Sequence, residues 1–235
     1  GARVKNDGGF SAGILNQETQ YNNDRPGSAN ANDLYITWAG GNDIRDLAGA
    51  TDPIAAINAQ LDSFVGVMSR LVANGVGTLL VPNLPNLGAI PEFAGTAASA
   101  AATLASQAWN MGLEQRLIGL SATTSASIFY LDVFGIFGSI LDDASGASGL
   151  TNTTGQCRSV AFVIFEVECA NADEYLFWDE IHPTTAAHKF LGLEAFALLD
   201  SDNALRAVPE PALLWLMLLG IGAVAGRRAM VTKAA

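Results

Sequence analysis

The chain has 235 residues, half of them hydrophobic, and its 23 acidic residues outnumber its 12 basic ones, giving a formal net charge of −11. A chain of this length and hydrophobic content can bury a large core, which argues against a disordered tail and favours one substantial domain. The acidic surface repels phosphate backbones, and no cluster of lysine or arginine offsets this repulsion, so nucleic acid is not expected as a partner.

The first half of the chain predicts a surface loop, followed by two strands with a helix between them. Residues 16–32 are polar enough for an extended surface loop, and residues 33–38 (DLYITW) are typical of a strand. Residues 53–73 carry apolar side chains at helical spacing, and residues 76–81 (VGTLLV) are typical of a buried strand.

The second half continues this alternation of strands and helices. The turn-rich stretch 82–91 (PNLPNLGAIP) is followed by an alanine-rich helix at about 97–120 and by a strand at 127–131 (SIFYL). A last helix is predicted at 185–199. Strands that alternate with helices predict right-handed crossovers, and therefore a parallel sheet with helices on both faces.

The sequence GGND follows the first predicted strand, where a parallel sheet forms its ligand crevice. Gly40 and Gly41 allow a sharp turn, after which Asn42 can present its side-chain amide N–H to the crevice. An ordinary turn followed by a helix cap at Asp43 explains the same residues, so both interpretations stay open at this point.

The sequence FWDEIHPT contains one of only two histidines in the chain. Pro183 favours an extended backbone at His182, and Thr184 or Thr185 can cap the helix that follows. Asp179 can bond one ring nitrogen and fix the tautomer, which leaves the other nitrogen to act as a base. A surface histidine beside a carboxylate is the alternative interpretation.

Taken together, GGND, PNLPNLGAIP, YLDVFG and YLFWDEIHPT resemble the GDSL, or SGNH, esterase and lipase family over Gly1 to about Leu199. The resemblance implies a flavodoxin-like, three-layer α/β/α sandwich with a parallel sheet. It implies Asp179 and His182 as the catalytic pair and Asn42 as an oxyanion-hole donor. The opening GAR is similar to the end of a second family block, which implies Gly1 as the oxyanion glycine or its neighbour.

The serine block of that family does not occur in this sequence. The resemblance therefore implies that the nucleophile and the first strand lie upstream of Gly1, and that the chain is a fragment. The stretch GFSAG around Ser11 matches the nucleophile elbow of another hydrolase fold, but no strand is predicted before it and no helix after it, which favours a glycine-rich loop. His188 is interpreted as a solvated helix residue and Asp132 as structural.

The activity implied by the resemblance is hydrolysis of lipid, aryl or polysaccharide acyl esters. An upstream serine attacks the carbonyl, His182 transfers the proton and Asp179 orients the imidazole. No metal or organic cofactor is expected. Two other functions stay open: a non-catalytic exported surface or matrix protein on a degenerate scaffold, and a module that binds acylated polysaccharide.

Cys157 and Cys169 are the two cysteines of the chain, and they fit an oxidising compartment in which they can pair. Two buried free thiols are the alternative. A metal site would need more ligands than these cysteines and two distant histidines provide.

The end of the chain differs in composition from the rest. Residues 208–211 (VPEP) break the chain, residues 212–226 are uncharged, and two arginines follow. This order resembles the PEP-CTERM sorting tail of exported bacterial proteins, although a hydrophobic helix docked on the domain is an alternative. The resemblance implies a partial hydrolase domain at 1–207 and a sorting and membrane segment at 208–235. It also implies an exosortase-type processing enzyme, membrane association through residues 212–226, and export to the surface of a Gram-negative bacterium.

Overall fold

A computed structural model describes residues 3–5, 13–47, 50–143, 145–161 and 165–206. Gly1, Ser11 and the whole tail from residue 207 onward lie outside these ranges. Within them, no helix is both long and apolar enough to cross a membrane.

The polar segment 16–32 does not form the surface loop that its composition predicts, because helix α1 spans Ile14–Asp24. Three contacts at helical spacing hold this helix on the core. Ile14 is buried, Glu18 forms an ion pair with an arginine of a later helix, and the Tyr21 hydroxyl lies 2.8 Å from a tyrosine hydroxyl on the first strand. The helix is therefore stabilised by a few tertiary contacts rather than by a continuous apolar face.

Among the described residues, three parallel strands form the central sheet in the order β1 (Leu34–Ile36), β2 (Thr78–Pro82) and β3 (Ser127–Leu131). In register, Leu80 of β2 lies between Ile36 of β1 and Phe129 of β3. Parallel strands end at the same edge of a sheet, so the segments that follow the three strands are brought together there.

In the described part of the chain, three α-helices come between these strands. Helix α2 (Gly41–Arg45) begins shortly after β1, α3 (Pro53–Ala73) connects β1 to β2, and α4 (Ser99–Ser121) connects β2 to β3. The bounds of α3 are those that its apolar spacing predicts. Both crossovers run in the same direction across the sheet, and right-handed connections therefore place α3 and α4 together on one face. Trp109 of α4 is fully buried between them.

Two further helices complete the layers. Helix α5 (Val133–Leu141) follows β3, and α6 (Thr185–Leu199) packs against β3. The Asp132 carboxylate accepts the Gly135 N–H at 3.0 Å and so caps α5, which is the structural role its position suggested. Helices packed on a parallel sheet confirm the expected α/β class and its three-layer arrangement.

Four short strands that the sequence did not predict lie between α5 and α6. Strand β4 (Asn152–Gln156) pairs in parallel with β7 (Tyr175–Phe177), while β5 (Arg158–Ala161) and β6 (Phe165–Glu168) form an antiparallel hairpin. Strand β7 leads directly into the sequence WDEIHPT, so this small sheet determines where that segment lies.

Candidate active site

A cavity of about 240 Å³, called here the site cavity, lies where the segments following β1, β2 and β3 meet. Its apolar wall is built from aromatic and aliphatic side chains of all three segments, including Trp38, Leu84, Leu87, Val133 and Phe137. Its polar lining includes Asn42, Arg45, His182 and His188. A mostly apolar cleft with a few polar groups at the carboxyl edge of a parallel sheet is the usual form of a ligand site.

His182 and Asp179 form a hydrogen-bonded pair at this cavity. The His182 ring nitrogen Nδ1 lies 3.0 Å and 2.9 Å from the two carboxylate oxygens of Asp179. An ionised carboxylate only accepts hydrogen bonds, so Nδ1 carries the proton and Nε2 remains as the basic nitrogen. The histidine side chain is exposed and the carboxylate is partly buried.

Asp179 remains ionised in this environment. Its partial burial acts to raise the pKa, but the hydrogen bonds that the carboxylate accepts from His182 and Ile181 outweigh burial and bring the pKa below its ordinary value. Two of these donors are backbone N–H groups, from Ile181 at 2.8 Å and from His182 at 2.7 Å. One carboxylate therefore both orients the imidazole and shapes the turn that carries it.

The turn is fixed at both ends by β7 and α6. The Trp178 N–H donates to the His182 carbonyl at 2.7 Å, and Phe177 and Pro183 form an isolated antiparallel bridge. The Thr184 hydroxyl donates to the Tyr175 carbonyl at 2.6 Å and also accepts a backbone N–H as the N-cap of α6. These contacts place the imidazole at a defined loop-to-helix junction.

Asn42 enters the site cavity on α2, and the glycine before this helix explains the sharp turn. Gly40 is the N-cap with φ +116°, and a Cβ there would lie 2.3 Å from the buried ring of Trp109. The predicted helix cap at Asp43 is therefore wrong, because Asp43 lies inside α2. The Asp43 carboxylate instead accepts the Val4 N–H at 3.1 and 3.2 Å, while burial raises its pKa above the ordinary value.

The loop PNLPNLGAIP supplies one wall of the site cavity and is held by α4. The Leu84 N–H donates to the Asn110 side-chain oxygen at 2.9 Å, and the Asn110 amide N–H donates to the Leu84 carbonyl at 2.8 Å. The side chain thus bonds Leu84 as a neighbouring strand would. The buried Ser106 hydroxyl accepts the Leu87 N–H at 3.2 Å. The sequence predicted this loop, but not that buried polar side chains of a helix hold it.

The sequence did not indicate Arg45, which lines the site cavity, or Glu92, which binds Arg45. The Arg45 guanidinium forms two hydrogen bonds to the Glu92 carboxylate, at 2.8 and 2.6 Å, and a third to the Asn42 side-chain oxygen at 3.2 Å. The spacing of Asn42 and Arg45 within α2 was the available signal, since residues three apart in a helix are neighbours.

No nucleophilic side chain was found at the site cavity: among the described residues that line it, none is a serine, threonine or cysteine. Gly1 and Ser11 lie outside the described ranges, so their predicted roles stay predictions. His188 is exposed on α6, as predicted, and also lines the site cavity. In the described part of the chain, no group of three acidic, histidine or cysteine side chains could hold a metal ion.

A disulfide lies beside the turn that carries Asp179 and His182. Cys157 and Cys169 are joined with a Cα–Cα distance of 4.8 Å, and the bond closes the base of the β5–β6 hairpin. The backbone N–H of Cys157 donates to the Phe177 carbonyl at 3.0 Å, and that of Arg158 donates to the Trp178 carbonyl at 2.6 Å. The disulfide-closed hairpin is therefore attached to the residues that lead into Asp179.

A family model and several known proteins match this chain. A family model described as GDSL-like Lipase/Acylhydrolase matches residues 1–195. A protein of Pseudomonas putida, described as an uncharacterized protein in the trpE-trpG intergenic region, is 28% identical over 193 residues, 78% of this chain and 31% of that protein. A GDSL esterase/lipase of Arabidopsis thaliana is 31% identical over 90 residues, 35% of this chain and 24% of that protein.

An enzyme is also among the relatives that match most of the chain. The phosphatidylcholine-sterol acyltransferase of Aeromonas hydrophila is 25% identical over 211 residues, 72% of this chain and 62% of that enzyme. The chain spans only about a quarter to a third of the length of the first two relatives.

Proposed function

Since this chain belongs to the GDSL-like lipase/acylhydrolase family, we propose that the full-length protein is a serine carboxylic ester hydrolase. In this proposal His182 is the general base, Asp179 orients it, and Asn42 donates to the oxyanion. The substrates are acyl esters of lipid, aryl or polysaccharide alcohols. No metal or organic cofactor is needed for this chemistry.

The observation that carries the proposal is the Asp179–His182 pair at a cavity that Asn42 also lines. In the first step a serine hydroxyl attacks the ester carbonyl while Nε2 of His182 takes its proton. The imidazolium then protonates the leaving alkoxide, and water repeats the sequence on the acyl-enzyme. Asn42 and backbone N–H groups, Gly1 among them, stabilise the oxyanion, and one such donor typically contributes about 2.7 to 4 kcal/mol.

The nucleophilic serine is proposed to lie in a segment that precedes Gly1. The free side of β1 supports this, because within the described ranges this strand pairs only with β2. Leu34 and Ile36 of β1 are 44% and 60% exposed, an unusual degree of exposure for apolar residues in the sheet of an α/β domain. A preceding strand on this side would cover both residues and bring its carboxyl end toward the site cavity.

Export through a sorting tail is proposed as the cellular setting. The disulfide supports an oxidising compartment, and the order of VPEP, an apolar run and two arginines supports a PEP-CTERM tail at residues 208–235. An exosortase-type enzyme would process this tail, and residues 212–226 would hold the protein at the membrane until then. A mature surface protein that retains the tail in a host with the processing enzyme would contradict this part of the proposal.

The experiment that tests the catalytic proposal uses the full-length protein and the two histidines of the chain. His182→Ala should lower kcat for a short p-nitrophenyl ester by about 10⁴-fold or more, the size typical of a lost catalytic base. His188→Ala is the matched control, because it removes the other imidazole that lines the site cavity. Its kcat should stay within a few-fold of wild type. Equal activity of wild type and His182→Ala would overturn the proposal.

The same experiment, together with an affinity measurement, separates the two alternative functions. A non-catalytic surface or matrix protein shows no ester turnover and no dependence on His182. A binding module shows no turnover but retains an acylated polysaccharide better than its deacylated form, which an affinity measurement on both polysaccharides detects.

A further inference from the structure

Asn42 and Arg45 lie one turn apart on the same side of α2, and the Arg45 Nη1 donates to the Asn42 Oδ1 at 3.2 Å. A guanidinium has only donors, so the amide atom that faces it must be the oxygen. This contact assigns the oxygen and the nitrogen of the Asn42 amide. The amide nitrogen is consequently directed away from Arg45.

Glu92 holds Arg45 in the orientation that this contact requires. Its two carboxylate oxygens accept from Nε and Nη2 of Arg45 at 2.8 and 2.6 Å, and both side chains are partly buried. A two-point contact between planar groups fixes direction as well as distance. The carboxylate also balances the guanidinium charge, so Arg45 is not an uncompensated cation at the site cavity.

Glu92 also connects this pair to the turn that carries His182. The backbone N–H of Glu92 donates to the Glu180 carbonyl at 3.0 Å, and Glu180 lies between Asp179 and His182 in sequence. A set of hydrogen bonds therefore runs from the Asn42 amide through Arg45 and Glu92 to the turn that carries His182, although Asn42 and Glu180 are 138 positions apart in sequence.

We propose that Arg45, held by Glu92, is a positioning residue that turns the Asn42 amide N–H toward the oxyanion. The inference rests on the proposed ester hydrolysis and adds a residue pair to it. Oxyanion stabilisation depends on donor placement, because a donor contributes fully only when it already points at the developing charge. Loss of Arg45 removes the contact that orients the amide oxygen of Asn42, and this should lower kcat more than it changes KM.

The test is a double-mutant cycle on the full-length protein, with kcat and KM measured on a p-nitrophenyl ester. Asn42→Ala should lower kcat by about 10² to 10³-fold, because it removes the amide N–H donor. Arg45→Gln should lower kcat by about tenfold, because the same donor remains but is less well oriented. KM should stay within about twofold in Arg45→Gln. In the Asn42→Ala background, Arg45→Gln should lower kcat by less than about twofold, because the group that it positions is gone.

Arg116 provides a matched control. It also bonds a carboxylate and an asparagine oxygen, Asp62 at 2.8 Å and Asn58 at 3.1 Å, and its side chain is about as exposed as that of Arg45. It is not one of the residues that line the site cavity. Arg116→Gln should therefore leave kcat unchanged. Glu92→Gln is a second variant that keeps Arg45 present, and it should lower kcat in the same direction by a smaller factor.

Each outcome decides between the two proposals. An active wild type with unchanged kcat in both Arg45→Gln and Glu92→Gln overturns the positioning role alone. The positioning role is also overturned if the fold-losses in kcat of Arg45→Gln and Asn42→Ala multiply fully in the double mutant, since the effects of independent residues combine in this way. A folded wild type without ester turnover overturns the proposed function, and this inference falls with it.

Discussion

At the scale of single residues, Asp179 has two tasks that substitution can separate. Its carboxylate orients the His182 ring and also accepts two backbone N–H groups of its own turn. Asp179→Asn keeps an oxygen that can accept these N–H groups but presents an NH₂ group or a neutral oxygen to the ring. We expect kcat to fall by at least about 10²-fold, because the His182 tautomer with its proton on Nε2 becomes favourable. The melting temperature should change little.

Asp179→Ala is the comparison that completes this prediction. It removes the acceptor for the turn as well as the partner of the ring, and it should lower the melting temperature more than Asp179→Asn does. Thermal melts of both variants alongside kcat provide the measurement. Equal melting temperatures for the two variants would show that the carboxylate does not stabilise the turn.

A pH prediction follows from the lowered pKa of Asp179. A carboxyl group whose folded pKa lies below its ordinary value of 3.8 stabilises the fold above that pH, and the contribution is lost as pH falls through the folded pKa. The stability difference between wild type and Asp179→Asn should therefore shrink as the pH falls below 3.8. Chemical denaturation across this range measures it.

The acid sensitivity of other groups cancels in this comparison. The Ser145 hydroxyl and the Ser148 backbone hold the pKa of Asp143 at about 2, but Asp143 is present in both proteins. A stability difference that grows as the pH falls below 3.8 would contradict the prediction.

The residue scale also shows which site residues a sequence can reveal. Asp179 and His182 are three residues apart, so their pairing depends on one local turn and could be predicted. Arg45 and Glu92 are 47 positions apart, and Leu84 and Asn110 are 26 positions apart. Such pairs exist only after the sheet has brought distant loops together, and no local pattern indicates them.

At the scale of elements, the junction between β1 and α2 determines where Asn42 lies. Gly40→Ala forces an L residue into φ +116° and sets a Cβ 2.3 Å from the fully buried Trp109 ring. Strained backbone alone costs about 1 to 3 kcal/mol, and the steric clash adds to it. We expect a loss of at least about 2 kcal/mol in unfolding free energy, measured by denaturation.

Gly119→Ala is the matched control for this junction. Gly119 lies in α4 with no atom within 4 Å of an added Cβ, and an alanine in a helix is favoured over glycine by about 0.5 to 1 kcal/mol. The control should therefore be neutral or stabilising. A Gly40→Ala protein as stable as the control would rule out this geometry at the junction.

Elements with continuous apolar patterns were predicted with their bounds, as α3, β3 and α6 show. Helix α1 and the strands between α5 and α6 were not. Strand β4 has the polar sequence NTTGQ and exists through its pairing with β7. Where tertiary contacts rather than periodicity stabilise an element, local sequence carries little signal.

At the scale of the whole molecule, one side of β1 pairs with no strand among the described residues, and this side is expected to limit the stability of residues 1–207 by themselves. Exposed Leu34 and Ile36 and such a strand edge favour association with other strands. We therefore predict that residues 1–207, expressed alone, lack esterase activity and either aggregate or melt without cooperativity, whereas the full-length protein melts cooperatively. Calorimetry and light scattering on both proteins measure this. A sharp melt of the fragment with ester hydrolysis that survives Ser11→Ala would contradict it.

The proposed division of catalytic groups between this chain and a segment before Gly1 is tested most directly by covalent labelling. A fluorophosphonate reacts with an activated serine, and peptide mass spectrometry locates the labelled residue. In the full-length protein we predict one labelled serine, upstream of Gly1, with labelling strongly slowed in His182→Ala. A label on Ser11 or on any other serine of this chain, or labelling that does not depend on His182, would contradict the assignment.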